Sequence, residues 1–544
     1  MIKNKTVLRT WLAFKYYGIN IVFLSVLTGI FAGVVVTFYT ICTSYGEQYS
    51  RELYSIILQY PAFIPLLFVG LAAGAVVIGT LVRFVPMIRG SGIPQIEGAC
   101  RGKFPFNWYV TMCSMFAASL ACVFMGLAAG SEGPSIEIGG CVGEGMGRIL
   151  RRSFMIRRLQ IASGASAGFA VAFNAPVTGM IFALEEAFKS FSPMIFVSAS
   201  VSVITALGVR TGIRLALGQS VGFAMEGFVF AQNMDVAGYG YVALAALIVA
   251  LAAVAFYYAV QGAKKMFSKI TFLKGAGKFI IPFVLSGAFG LITVYAMGGG
   301  HNFIHSLATG GTGRIEGISV LGAGIIASLT IIVALRFILM ALYMGCGVPC
   351  GVFIPMLAVG AGLGALLSSL FVQAGMDAAY TDYIVIICMS VFFTSFVRAP
   401  ITGLFMVFEL TGQFANLLPA LLGVVIASLV AEVCRTEPGY EKNLHGFIRD
   451  EGFADREKPV RVTVTVRPRS LADGGRIKSI IWPSGGLVVA IRLPDGTQVI
   501  PSGNTKLDAG QQLDFECRAD DPDEVLDYLY GIVGRPAKGE DGGR

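Results

Sequence analysis

Glu132 stands alone in a long apolar stretch. No Asp, Glu, Lys or Arg occurs between Lys103 and Glu132, and that distance is enough to cross a bilayer. An ionisable side chain at membrane depth is costly and marks an ion or proton pathway. It lies in Gly130-Ser131-Glu132-Gly133-Pro134, and two further segments share its Gly and Pro punctuation: Gly90-Ser91-Gly92-Ile93-Pro94 and Gly351-Val352-Phe353-Ile354-Pro355. Proline suits the first turn of a helix, so each segment reads as a helix start. A helix start offers unpaired N–H groups and the positive end of the macrodipole. Three of them converging make an anion site that needs no lysine or arginine. Without a full cationic partner, the anion is also free to leave. The chemistry on offer is therefore an anion held by backbone dipoles beside a titratable carboxylate that competes with it.

The elements that must position these residues are membrane helices. The chain has 544 residues, 55% of them hydrophobic and only 14% charged, against about 25% charged in soluble domains. This composition gives an all-α polytopic membrane protein, and 68 glycines fit close helix packing and broken helices. Three basic clusters border apolar runs: Lys3, Lys5, Arg9 and Lys15; Arg148, Arg151, Arg152, Arg157 and Arg158; and Lys264, Lys265, Lys269, Lys274 and Lys278. The positive-inside rule places all three in the cytoplasm. The formal charge of +8 is thus a topology signal, and nucleic-acid binding is not expected. The basic, then apolar, N-terminus lacks a small-residue cleavage site and reads as a retained first helix. Cys346 and Cys350 are the only closely spaced cysteines, and His301, His305 and His445 form no ligand pattern, so no metal is expected.

An internal repeat runs through the apolar region. Ala175-Pro176-Val177-Thr178-Gly179 returns as Ala399-Pro400-Ile401-Thr402-Gly403, each followed by a glutamate, Glu185 and Glu409, at the same distance from its proline. Gly130–Pro134 and the Gly347–Pro355 segment stand at a similar offset. Such duplications build transporters whose substrate site lies where interrupted helices meet. The apolar character stops near Ala431. Residues 1–434 are read as the membrane domain and 435–459 as a polar linker. Residues 460–534 read as a small cytoplasmic α/β domain and 535–544 as a disordered tail. Within the soluble part, Val462–Val466, Leu487–Ile491 and Gln498–Ile500 are strand candidates, and Asp523–Val533 is a closing helix.

The three broken-helix segments resemble, in order, the three signatures of the CLC family of chloride channels and proton-coupled chloride transporters. Phe173-Asn174-Ala175-Pro176 through Glu185-Glu186 is similar to the family as well, and the resemblance spans about residues 20 to 440. It implies an inverted-repeat fold and a homodimer with one pore per subunit. It also implies roles for single residues. Ser91 would touch the central anion, chloride rather than nitrate, and backbone N–H groups of Val352, Phe353 and Ile354 would line its path. The Tyr440 hydroxyl would close the inner side. Glu132 would be the external gate that carries the proton, and Glu186 the internal proton-transfer group found in exchangers. One position departs from the pattern. Ser131 stands where the family has Lys or Arg, which should leave Glu132 easier to protonate.

The C-terminal domain, residues 460–534, resembles the TrkA C-terminal domain through Gly486-Leu487-Val488-Val489-Ala490-Ile491-Arg492, Val499-Ile500-Pro501-Ser502-Gly503-Asn504-Thr505, Leu507 and Gly510. This implies a cytoplasmic sensor, with a nucleotide or cyclic dinucleotide as its candidate ligand. The leading expectation is a proton-coupled chloride antiporter in a bacterial cell membrane, with both termini cytoplasmic. A passive chloride channel on the same fold is the first alternative. A cation channel governed by the TrkA-like domain is the second, prompted by Gly238-Tyr239-Gly240. No nucleophile–base constellation is present, so no enzyme activity is expected.

Overall fold

The apolar runs become helices, and among the described residues eight of these are long and apolar enough to cross a membrane. The computed structural model describes residues 19–219, 227–229, 234–270, 275–412, 417–453, 458–483, 485–519 and 522–536. The N-terminal basic cluster, Lys274 and the tail from 537 lie outside the described residues.

The first half comprises α1 (Ile19–Gln59), α2 (Ile64–Phe84), α3 (Ile93–Cys100), α4 (Trp108–Phe124), α5 (Glu132–Ile149), α6 (Phe154–Phe173), α7 (Pro176–Phe182) and α8 (Pro193–Ala216). The second half comprises α9 (Val236–Lys269), α10 (Ile280–Ile292), α11 (His301–Ser306), α12 (Ile325–Cys346), α13 (Phe353–Gln373), α14 (Thr381–Val397), α15 (Pro400–Thr411) and α16 (Leu417–Val433). Every residue of α14 is buried, so the bundle has an interior apart from its lipid-facing shell. Glycine sets the closest approach. A Cβ on Gly164 of α6 would lie 2.2 Å from the Gly139 carbonyl oxygen of α5, and the reverse distance is the same. The Glu132 helix is therefore in backbone contact with its neighbour, as small-residue membrane packing allows.

The repeat reappears as a reciprocal bond. Glu409 at the end of α15 accepts from the backbone N–H of Val177 (2.7 Å) and Thr178 (2.8 Å) and from the Thr178 hydroxyl (2.5 Å). Glu185, just past α7, accepts from the N–H of Ile401 (3.0 Å) and Thr402 (2.7 Å) and from the Thr402 hydroxyl (2.6 Å). Each half caps the Pro-initiated helix of the other, placing a carboxylate where the first-turn N–H groups need an acceptor.

The stretch 435–459, read as polar linker, contains α17 (Gly439–Asp450), which buries Tyr440, Leu444 and Phe447. Beyond it lies a four-stranded antiparallel sheet of β1 (Lys458–Thr465), β2 (Leu487–Arg492), β3 (Gln498–Val499) and β4 (Gln512–Ala519), in the order β1-β4-β2-β3. The closing helix is α18 (Pro522–Val533). This small domain docks on the start of α6: Asp527 accepts from the Phe154 N–H at 2.9 Å, and the Arg158 guanidinium lies over the rings of Phe154 and Tyr528. Gly238-Tyr239-Gly240 sits in the first turn of α9, with the Asp235 carboxylate capping the Gly238 N–H at 2.7 Å. That is an ordinary helix start rather than an ion filter.

Candidate functional site

The three broken-helix segments meet. Gly130 and Gly351 exchange backbone hydrogen bonds of 2.8 Å in both directions, and Gly90 donates to the Gly347 carbonyl while Cys350 donates to that of Gly90. Gly133 presses on the Ser91 loop so closely that a Cβ there would stand 2.4 Å from the Ser91 carbonyl oxygen. Gly92 has φ +79, and a Cβ on it would meet the Glu137 carboxylate at 2.3 Å. Glycine is thus required for both conformation and space. From this knot three helices depart, α3 after Gly92, α5 at Glu132 and α13 at Phe353. Among the described residues, no side chain caps the first turn of any of them. Buried helix starts without caps are unusual, and they leave N–H groups for a ligand.

The residues expected at the site are buried here. Glu132 is 1% exposed and Ser91 7%, and Val352, Phe353 and Ile354 are enclosed. The Phe353 ring packs on Phe169, Phe173 and Phe393, which fixes the start of α13. Tyr440 is buried, with a hydroxyl that has no hydrogen-bond partner among the described residues, and it lies within electrostatic reach of both Glu132 and Glu186. Glu186 is 4% exposed, on a single π-turn at Ala183–Ala187 that follows α7. Such π-turns often mark functional positions; this one turns Glu186 inward while Glu185 makes the cap described above.

Other residues at the site were not singled out from the sequence. His301 opens α11, and its Nε2 lies 3.3 Å from Glu132 Oε1. The Ser131 hydroxyl reaches the same oxygen at 3.4 Å, while Glu132 Oε2 is buried with no partner among the described residues. A histidine thus stands near the position left uncharged by Ser131. Glu137 is fully buried behind the Ser91 loop, and neither of its oxygens has a hydrogen-bond partner among the described residues.

At the other end, Glu97 pairs with Arg101 (2.6 Å) and Lys189 (2.9 Å), and Glu441 with Lys189 (2.8 Å) and Arg101 (3.4 Å). This ion quartet fastens the first turn of α17, and so Tyr440, to the end of α3. Partial burial pushes the Glu441 carboxyl up. Lys189 and Arg101 pull it down by more, so it stands below the ordinary carboxylate value.

A cavity of about 880 Å³ is lined by Lys442 and Asn443 of α17 and reaches Ser91 and Val352. Its wall includes Arg83, Arg89, Lys264, Lys265 and Lys278, so two residues of the third basic cluster's start, and its last, face the mouth of the Ser91 loop. An electropositive funnel raises the local anion concentration.

Residues 73–432 match the family model described as voltage gated chloride channel. The chain belongs to that family. Among relatives of this voltage gated chloride channel family member, the H(+)/Cl(-) exchange transporter ClcA of Vibrio cholerae is 28% identical over 84% of this chain and 95% of its own length. ClcA of Cronobacter sakazakii is 27% identical over 80% of this chain and 92% of its own. Among solved structures, a slow cyanobacterial Cl-/H+ antiporter superposes with a TM-score of 0.70 at 23% identity, over 79% of this chain and 99% of the other. A CLC-type fluoride/proton antiporter gives 0.62 at 19% identity, over 77% and 96%. The family's helical membrane fold, with a small sheet-containing domain added at the C-terminus, is therefore the architecture of this integral, multi-pass membrane protein.

Proposed function

We propose that the protein exchanges chloride for protons across a bacterial cell membrane. The observation that carries this reading is the meeting of three uncapped helix starts at Ser91, Glu132 and Phe353, with a carboxylate built into one of them. Chloride lies among the N–H groups of Val352, Phe353 and Ile354 and beside the Ser91 hydroxyl, with the Tyr440 hydroxyl closing the inner side. Glu132 competes for the same positive dipoles: ionised, it takes the anion's place; protonated, it loses that attraction and yields to chloride. Glu186 passes protons on the cytoplasmic side. The names of the ClcA relatives support exchange over passive conduction, and so does a carboxylate at position 186.

The site is assembled from one chain, which fits a homodimer with a separate pathway in each subunit. The C-terminal domain, with its β-rich order closed by a helix, supports a TrkA-C-like regulatory module that senses a nucleotide or cyclic dinucleotide. Its docking on α6, which packs backbone to backbone on α5, supplies a route from that sensor to Glu132. The cytoplasm then holds this domain and the funnel. The test is reconstitution in liposomes: an outward chloride gradient should drive protons inward against their own gradient. Chloride flow with a reversal potential that ignores pH would mark a passive channel instead.

A further inference from the structure

Resting on the exchanger reading, we infer that His301 is the outer proton relay for Glu132. The pair divides by exposure. The Glu132 side chain is 2% exposed and that of His301 is 34%, so the imidazole is the partner that meets solvent. Their atoms stand 3.3 Å apart, a small motion from a good hydrogen bond. Imidazole is the side chain that ordinarily exchanges protons near neutral pH. A carboxylate sealed behind it needs such an intermediary, because bulk water does not reach it directly.

The loop that carries His301 is built to hold that position. Arg336 of α12 is buried and donates from Nε to the Tyr295 carbonyl (2.7 Å) and from Nη2 to that of Met297 (2.8 Å). The Gly298 N–H donates to the Leu127 carbonyl at 3.1 Å, and the Gly299 N–H to Glu47 Oε1 at 3.1 Å. Gly299 packs against Gly130, and Gly300 turns the chain with φ +110. The histidine is therefore anchored to the Glu132 loop on one side and to α1 and α12 on the other. The charged groups acting on the imidazole are Glu132 of α5, Glu47 of α1 and Arg336 of α12. Burial opposes its protonated form, as does the guanidinium, and the two carboxylates outweigh them and raise it above the ordinary imidazole value; His305 is the other titratable group on α11.

The step balances simply. The imidazolium Nε2–H bond breaks as a bond forms from that proton to Glu132 Oε1. An ion pair becomes a neutral imidazole and a neutral carboxylic acid. The imidazole then takes a proton from outer water, and the protonated Glu132 side chain leaves the anion path. The reverse sequence releases a proton outward.

The experiment is a double-mutant cycle in liposomes with chloride and pH recorded together, across outer pH 5 to 8. His301→Gln should slow coupled exchange about tenfold near neutral pH and remove the rate inflection that the imidazole imposes, which, against burial and Arg336, Glu132 and Glu47 raise above the ordinary histidine value. In the Glu132→Gln background, where no carboxylate remains to receive the proton, adding His301→Gln should leave chloride flux unchanged, which also verifies folding. His301→Asn should match His301→Gln. An unaltered pH profile in His301→Gln overturns the relay. So does an equal slowing of chloride flux in both backgrounds, which would make the residue a structural or anion-attracting group. Wild-type protein that moves chloride without protons would defeat the exchanger reading itself, a separate outcome.

Discussion

Glu185 and Glu186 are neighbours in the chain, and the fold treats them as opposites. Glu185 and its repeat counterpart Glu409 each accept three hydrogen bonds from the opposite half. Glu186 is buried, and Glu132 keeps one oxygen with no hydrogen-bond partner among the described residues. A carboxylate with its hydrogen bonds fully made is a structural clamp. An incompletely satisfied one is held in a state it can leave, at a cost that only function explains. Symmetry separates the two classes: the clamps obey the repeat, while Glu132 and Glu186 each have a setting that the other half does not copy.

Substitutions should sharpen that division. The largest effect is expected at the clamps. Glu409→Ala removes three charge-assisted bonds and leaves the Val177 and Thr178 N–H groups, the latter buried, without that acceptor, a cost of about 4 kcal/mol. Little monodisperse protein should survive size-exclusion chromatography in detergent, and normal yield would refute the clamp role. Glu186→Gln should fold normally and lose proton movement by at least about 100-fold, the scale of a missing proton-transfer group, while chloride movement continues. Read side by side, Glu185→Gln should lower thermal stability and Glu186→Gln should not; equal melting temperatures would erase the distinction.

The smallest effect concerns the ion quartet. The folded-state value of Glu441 is depressed, so its stabilising contribution is present above the unfolded carboxylate pKa of about 4.3 and is lost as pH falls through the lower folded value. Melting temperature should decline below about pH 4.3, and Lys189→Gln should flatten that decline. A melting curve whose acid limb is identical in Lys189→Gln would remove the quartet from the stability of α17.

The parts of the proposed site are readable in the sequence because their signals are local. Gly and Pro mark the three helix starts, and the lone Glu132 is conspicuous in apolar surroundings. The repeat motif contained Glu185 and Glu409, although their exchange of caps depends on how the halves face each other. Tyr440 was legible by a short motif, yet the helix around it was not read. Tyr440, Leu444 and Phe447 do lie at helical spacing, but the many charges between them suggest a linker. Strand β4 carried a signal that could have been used, since Leu513, Phe515 and Cys517 alternate. His301 carried none. It reaches Glu132 from 169 positions away, through a glycine-rich loop whose path is set by Arg336 and Glu47 rather than by local propensity.

Exchange worked by Glu132 is tested most directly by Glu132→Gln liposomes, with chloride and proton fluxes recorded in the same vesicles. Exchange predicts that chloride flux persists, that a chloride gradient no longer moves protons, and that flux becomes insensitive to outer pH. Proton pumping that survives in this variant would contradict the assignment of Glu132 as the gate.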